Sequence, residues 1–139
     1  MATILAHLKV KEGSERAFED ISRDLYQASH SGEDGLLRYE YWRGSEPRTY
    51  YTLLSFVDFA AFIAHQTSDH HEAASPRLGT VLEGIRLEWV DPIDGAAPLP
   101  ATNSQDLSQA ADALTRLYAE RFAARIAPWW ADLRTNGNA

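Results

Sequence analysis

Leu36-Leu-Arg-Tyr-Glu-Tyr-Trp42 and Thr49-Tyr-Tyr-Thr-Leu-Leu-Ser-Phe-Val57 flank Arg43-Gly-Ser-Glu-Pro-Arg48. Both outer runs are rich in aromatic and β-branched residues, and the glycine and proline between them mark a turn. The reading is a β-hairpin. Upstream, Thr3 to Val10 alternates so that Ile4, Ala6, Leu8 and Val10 share one side and Leu5 and His7 the other, which predicts a strand. Gly13 ends it. Ser14 is placed to cap a helix in which Ala17, Phe18, Ile21, Leu25 and Ala28 recur by threes and fours before Gly32. Downstream, Asp58 is placed to cap a second helical region through Phe59, Phe62 and Ile63, with an interruption near Thr67-Ser68-Asp69, a resumption to Leu82, and Pro76 as a kink. From Gly84, Ile85, Leu87 and Trp89 alternate with Arg86 and Glu88 up to Asp91-Pro92, giving a last strand. The order is βαββαβ: an α+β, ferredoxin-like unit with a four-stranded antiparallel sheet over residues 1–92.

That arrangement stacks both helices on one face of the sheet and leaves the other open. Tyr51 and Leu53 alternate with Leu54 and Phe56, so both faces carry large apolar groups, and a homodimer joined sheet to sheet is the expected cover. Residues 93–103, rich in proline, alanine and glycine, read as a linker. Over 104–139, Leu107, Ala111, Leu114, Tyr118, Phe122, Ile126, Trp129 and Leu133 predict an amphipathic helix kinked at Pro128. Its apolar stripe, with Trp129 and Trp130 as anchors, must dock on its own domain or on the partner.

The 139 residues are 45% hydrophobic and 24% charged, ordinary for one globular domain with an appendage. No apolar run is long enough for a membrane span, and Met1 to Leu5 has no secretory character, so a cytoplasmic protein with no membrane partner is expected. The absence of cysteine excludes disulfides, thiolate nucleophiles, iron–sulfur clusters and Cys-based zinc sites. A formal charge of −7 with scattered Lys and Arg argues against nucleic acid as a partner.

Residues 2–92 resemble the antibiotic-biosynthesis monooxygenase family of small dimeric α+β barrel proteins. The resemblance rests on Val10-Lys-Glu-Gly13, on Gly35-Leu-Leu37, and above all on the His-x4-His stretch within Phe62-Ile-Ala-His65-Gln-Thr-Ser-Asp-His70. It departs where many members carry a Glu-x-Trp pair, since Leu54 and Phe56 stand there. The heme-degrading branch is not matched, because its Asn, Trp and heme-ligating His fall near Ala6, His65 and Ser75. The resemblance implies oxidation of a small aromatic, quinol or polyketide-type substrate by molecular oxygen, with no cofactor. A deprotonated, electron-rich phenol can pass an electron to oxygen unaided, so the protein supplies a base and a dry pocket. A cofactorless isomerase, cyclase or epimerase, or a noncatalytic small-ligand-binding dimer, would use the same scaffold.

Histidine is the natural base near neutral pH, which selects His65, with His70 and His7 assisting. Each has a plainer reading: His65 as a packed residue ending a helix, His70 as a cap or surface residue beside a polar His71, and His7 as an interface residue. His65, His70, His71 and Glu72 suggest a divalent metal, but a five-residue spacing does not bring two side chains to one face of a regular helix, so no metal is expected. Tyr39, Tyr41, Tyr51, Phe56, Phe62, Trp42 and Trp89 are the candidates for holding a planar substrate, against a plainer role as core and interface. Arg43, Glu46 and Arg48 read as a solvated hairpin tip.

Overall fold

A computed structural model of the protein describes residues 1–105, 107 and 111–134. The elements follow in the order β1 (Ala2–Val10), α1 (Glu15–Gly32), β2 (Leu36–Arg43), β3 (Thr49–Phe56), α2 (Phe59–Thr67), α3 (Asp69–Val81), β4 (Leu82–Trp89), α4 (Ala113–Arg121) and α5 (Pro128–Arg134). The sheet order is β2-β3-β1-β4, with every neighbouring pair antiparallel. This is the ferredoxin-like α+β architecture that the alternation and turn residues imply.

Register fixes what each face offers. Ile4, Ala6 and Leu8 pair with Leu54, Thr52 and Tyr50 on one side and with Trp89, Leu87 and Ile85 on the other, and Tyr39 and Tyr41 continue the rows on β2. This face lies under the helices, where Phe18, Ile21 and Leu25 of α1 and Phe59, Phe62 and Ile63 of α2 complete the core. The covering stops short of β4, leaving Ile85 59% and Leu87 37% exposed. The opposite face is mixed. It carries half-buried Leu5, Tyr51 and Leu53 among Arg38, Glu40, His7 and Glu88.

Gly35 makes the junction of β2 with α2 possible, since a Cβ built there would lie 2.5 Å from the Ala61 Cβ. Asp58 caps α2 by accepting a bond from the Ala61 amide at 2.7 Å, whereas the Ser14 hydroxyl makes no cap bond to α1. The hairpin arginines are tied back: Arg43 binds Glu19, and Arg48, at φ 62°, donates to the Val10 carbonyl and to Glu83. Arg43 nevertheless stays 75% exposed, as a solvated tip implies, whereas Arg48 is drawn back to 30%.

α2 and α3 are separate helices divided at Ser68, whose backbone is extended (φ −62°, ψ 151°). Ser68 ends one helix and begins the next. Its amide and hydroxyl both donate to the His65 carbonyl, and the hydroxyl accepts from the His71 amide.

The C-terminal segment differs from a single kinked helix. α4 and α5 are short and joined by nonhelical 123–127, and Leu107 and Ala111 of the expected stripe are nonhelical; of the expected 104–139 helix, 106, 108–110 and 135–139 lie outside the described residues. α4 packs on its own domain: Tyr118 hydrogen-bonds Glu72, Phe122 meets Phe62 at 6.0 Å between ring centroids, and the Trp89 indole donates to the Ala123 carbonyl at 3.0 Å. Arg134 of α5 pairs with Asp91, while Trp129 and Leu133 remain 64% and 67% exposed. The connector is anchored at its end, where Thr102 is buried and bonded to Val90 and Asp91.

Candidate functional site: an imidazole backed by a carboxylate

Between the covered face of the sheet and helices α2 and α3 lies a cavity of about 600 Å³. Ile4, Ala6 and Leu8 form its floor, with Tyr39, Tyr41, Thr52 and Leu54 beside them, and Phe62, His65 and Leu78 form its roof. Phe122 of the C-terminal segment contributes to the rim. The uncovered β4 residues Ile85 and Leu87 also line it, so the cavity opens along that edge.

His65 is 1% exposed. Its Nδ1 lies 2.9 and 3.0 Å from the two carboxylate oxygens of Glu33, the C-cap residue of α1. A carboxylate only accepts, so Nδ1 carries the proton and Nε2 presents its lone pair. That Nε2 is buried and has no partner among the described residues. Glu33 also accepts from His70 Nε2 at 2.6 Å, and Ser29 Oγ stands 3.2 Å from the same nitrogen. Burial alone would push the Glu33 carboxyl up, but the hydrogen bond and charge of His65, with Ser29 and His70, outweigh it and hold the group down at about 2. The carboxylate is therefore ionised throughout the ordinary pH range.

Among the described residues, Thr52 Oγ1 and His71 Nδ1 are also buried without partners, and both residues line this same cavity. Burial, reinforced by His65 and His70, lowers the His71 pKa to about 4, so its imidazole is neutral. The His65 and His71 rings are 4.9 Å apart. Tyr39 and Tyr41 share one hydrogen bond at 2.6 Å, which leaves one O–H hydrogen free whichever hydroxyl donates. Burial raises both phenols, Tyr41 to about 12, so neither ionises near neutrality. Apolar walls set with a few aimed polar groups are the usual character of a small-molecule site.

The candidates from sequence divide by face. His65, Tyr39, Tyr41 and Phe62 meet at the cavity. His70 stands behind it, bound to Glu33, and Phe56 packs beneath His65 and Phe62 without lining the space. Trp89 borders a smaller neighbouring hollow with Phe122. His7 and Tyr51 lie on the other face of the sheet, 5.6 Å apart, with His7 bound to Glu88, and so do not share a cavity with His65. Another hollow, of about 520 Å³ between α1 and β2, includes Trp42, Glu19 and Glu40 but no histidine; Glu19 is occupied by Arg43 and Tyr50, and Glu40 by Arg38 and Trp42.

Glu33, Ser29 and Thr52 were not singled out by the sequence, and His71 was weighed only in a metal-binding cluster and as a polar surface residue. The spacing argument against joining His65 to His70 fails because α2 and α3 are not one helix: the break at Ser68 turns both imidazoles toward Glu33. The available signal was Ser68 itself, a good N-cap residue after a run of helix. A carboxylate does reach His65, from the end of α1 rather than from β3, where Leu54 stands.

No curated protein matches the chain. Among solved structures, a proposed antibiotic biosynthesis monooxygenase from Caulobacter crescentus is 26% identical, with a TM-score of 0.63 over 66% of this chain and 89% of its own. A Pseudomonas aeruginosa protein at 22% identity (TM-score 0.61, 66% and 93% covered) and one from Mycobacterium tuberculosis at 15% (TM-score 0.63, 69% and 98% covered) share the fold. Residues 1–77, more than half of the sequence, match the family described as Antibiotic biosynthesis monooxygenase, and the chain belongs to that family.

Proposed function

We propose that this protein is a cofactor-independent monooxygenase oxidising a small aromatic, quinol or polyketide-type substrate with molecular oxygen. The observation that carries the reading is the buried, unpartnered His65 Nε2, fixed as an acceptor by Glu33 in a residue that lines a largely apolar cavity. His65 takes the proton of a phenol or enol. The resulting anion passes one electron to O2, and the superoxide and substrate radical combine to form a C–O bond. The peroxide anion so formed takes back the proton from His65, and loss of water from the resulting hydroperoxide, with the hydrogen on the same carbon, leaves a carbonyl, so one oxygen atom enters the product and the other leaves as water. Thr52, His71 and the free tyrosine O–H are placed to meet further oxygen functions of the ring system.

Oxygen uptake with 1,8-dihydroxyanthrone and naphthohydroquinone tests this, together with 18O2 labelling of the product. One labelled atom per turnover, lost in His65→Ala with little change in melting temperature, is the expected result. Anaerobic turnover equal to aerobic turnover would overturn it.

The 4.9 Å approach of the His65 and His71 rings favours a second reading, a cofactorless isomerase, cyclase or epimerase, since two imidazoles can remove and return a proton. Solvent deuterium entering the product without oxygen uptake distinguishes it. We also propose a cytoplasmic homodimer joined through the uncovered sheet face, where Leu5, Tyr51 and Leu53 are half-buried. Sedimentation equilibrium should give twice the chain mass, and a stable monomer would count against it. Among the described residues no helix is long and apolar enough to cross a membrane.

A further inference from the structure

The Nδ1 atom of His65 belongs to a second, separate feature. His65 Nδ1, His70 Nε2 and a Glu33 carboxylate oxygen all lie within 4.8 Å of one another. We infer that Glu33, His65 and His70 form a binding site for a divalent transition-metal ion of the zinc class.

The donor set suits such an ion. Two imidazole nitrogens and one carboxylate are a common protein ligand set for zinc, and a fourth position is left to water or to Ser29, whose hydroxyl is 3.2 Å from His70 Nε2 and 3.5 Å from His65 Nδ1. Bonds of about 2.0 Å in a tetrahedron put neighbouring donors roughly 3.3 Å apart. The nitrogen–carboxylate separations of 2.6 to 3.0 Å would widen by roughly 0.3 to 0.7 Å. The hydrogen-bonded arrangement is thus the proton-loaded form of the same set.

Each ligand comes from a different helix, so the site is assembled by the fold. Glu33 caps the C-terminus of α1 and His65 lies in the last turn of α2, where carbonyl groups leave negative partial charge that favours a cation. His70 lies at the opposite, N-terminal end of α3, but Asp69 and Glu72 in that turn offset its positive end. The Glu33 carboxylate is already ionised, so no proton must leave it. With the His70 side chain 27% exposed, an ion has a route in that does not cross the cavity.

Occupancy has a chemical consequence. A metal on Nδ1 displaces the proton there, and a proton on Nε2 completes the neutral ring. Nε2 then donates instead of accepting, which silences the proposed base. The site and the oxygenase reading stand independently, because metal binding is read without any substrate.

Titration of the metal-free protein with Co2+ and Zn2+ tests the site, with calorimetry for stoichiometry and the visible absorption of Co2+ for coordination. The expected result is one ion per chain at micromolar Kd, displacement of Co2+ by Zn2+, and at least tenfold weaker binding in both Glu33→Gln and His70→Gln. His7→Gln, on the far face, should bind as the wild type does. Far-UV circular dichroism confirms folding, and His70→Gln serves alone if Glu33→Gln unfolds. No saturable binding below millimolar metal, or binding indifferent to His70→Gln, would overturn the inference, as would binding that follows His7.

Discussion

Glu33 holds His65 from outside the cavity lining, with both carboxylate oxygens within 3.0 Å of Nδ1. The relationship fixes ring orientation and tautomer together, leaving one buried nitrogen lone pair for a bound molecule. Glu33→Gln keeps the shape but can offer an N–H where an acceptor is needed. Turnover should fall by about 10²-fold or more. Imidazole 15N shifts should show His65 losing its single tautomer, and an unchanged tautomer would rule out this positioning role.

Glu33 also predicts acid sensitivity. Its carboxyl is held at about 2, below the ordinary value of 4.5, so its contribution is full above about 4.5 and disappears as pH falls through 2. That contribution is on the order of 3 kcal/mol at most. Urea unfolding between pH 5 and 2 should be steeper in pH for the wild type than for Glu33→Gln.

His71 acts in a higher window. Its imidazole, lowered to about 4 by burial and by its neighbouring histidines, is neutral when folded, while the unfolded group titrates near 6.5. Unfolding takes up a proton between these values, so this contribution is present above 6.5 and lost as pH falls through 4. His71→Asn should flatten the stability profile over that range. An unaltered slope would place the imidazole in water.

Gly35 and Ala61 make a steric prediction. Gly35→Ala should cost about 1–3 kcal/mol from overpacking, read as a shift in the urea midpoint. Ala61→Gly in the same chain should recover most of it, and a cost that persists in the double variant would assign the effect to backbone conformation.

Phe122 joins the C-terminal segment to the cavity. Phe122→Ala removes its contact with Phe62 and opens the rim, and should lower stability by roughly 1–2 kcal/mol, less than a full core truncation because the ring is half-buried. Dissociation of a fluorescent anthraquinone probe should quicken in the same variant. Unchanged dissociation would mean that the segment only braces α2.

The fold could be read because its signals are local. Alternation put Ile4, Ala6, Leu8 and Val10 on one side of a strand, and they form the buried row beneath the helices. The tail was less legible. A three- and four-residue repeat marks one face of a helix but not what that face meets, and Leu114, Trp129 and Leu133 remain exposed. His65 could be chosen by residue type, while Glu33 could not, because its distance from His65 is set by how three helix ends meet. His71 looked like part of a surface turn, and only the break at Ser68 carries its ring inward.

In an unbroken helix, five residues advance the chain by about 500°, or some 140° around the axis. His70 would then swing clear of the carboxylate that it shares with His65. The partnership depends on Ser68, whose hydroxyl serves the end of one rod and the start of another. A side chain that does not line the hollow thus governs which charges stand behind it, and replacing that small alcohol could retune the centre without touching its walls.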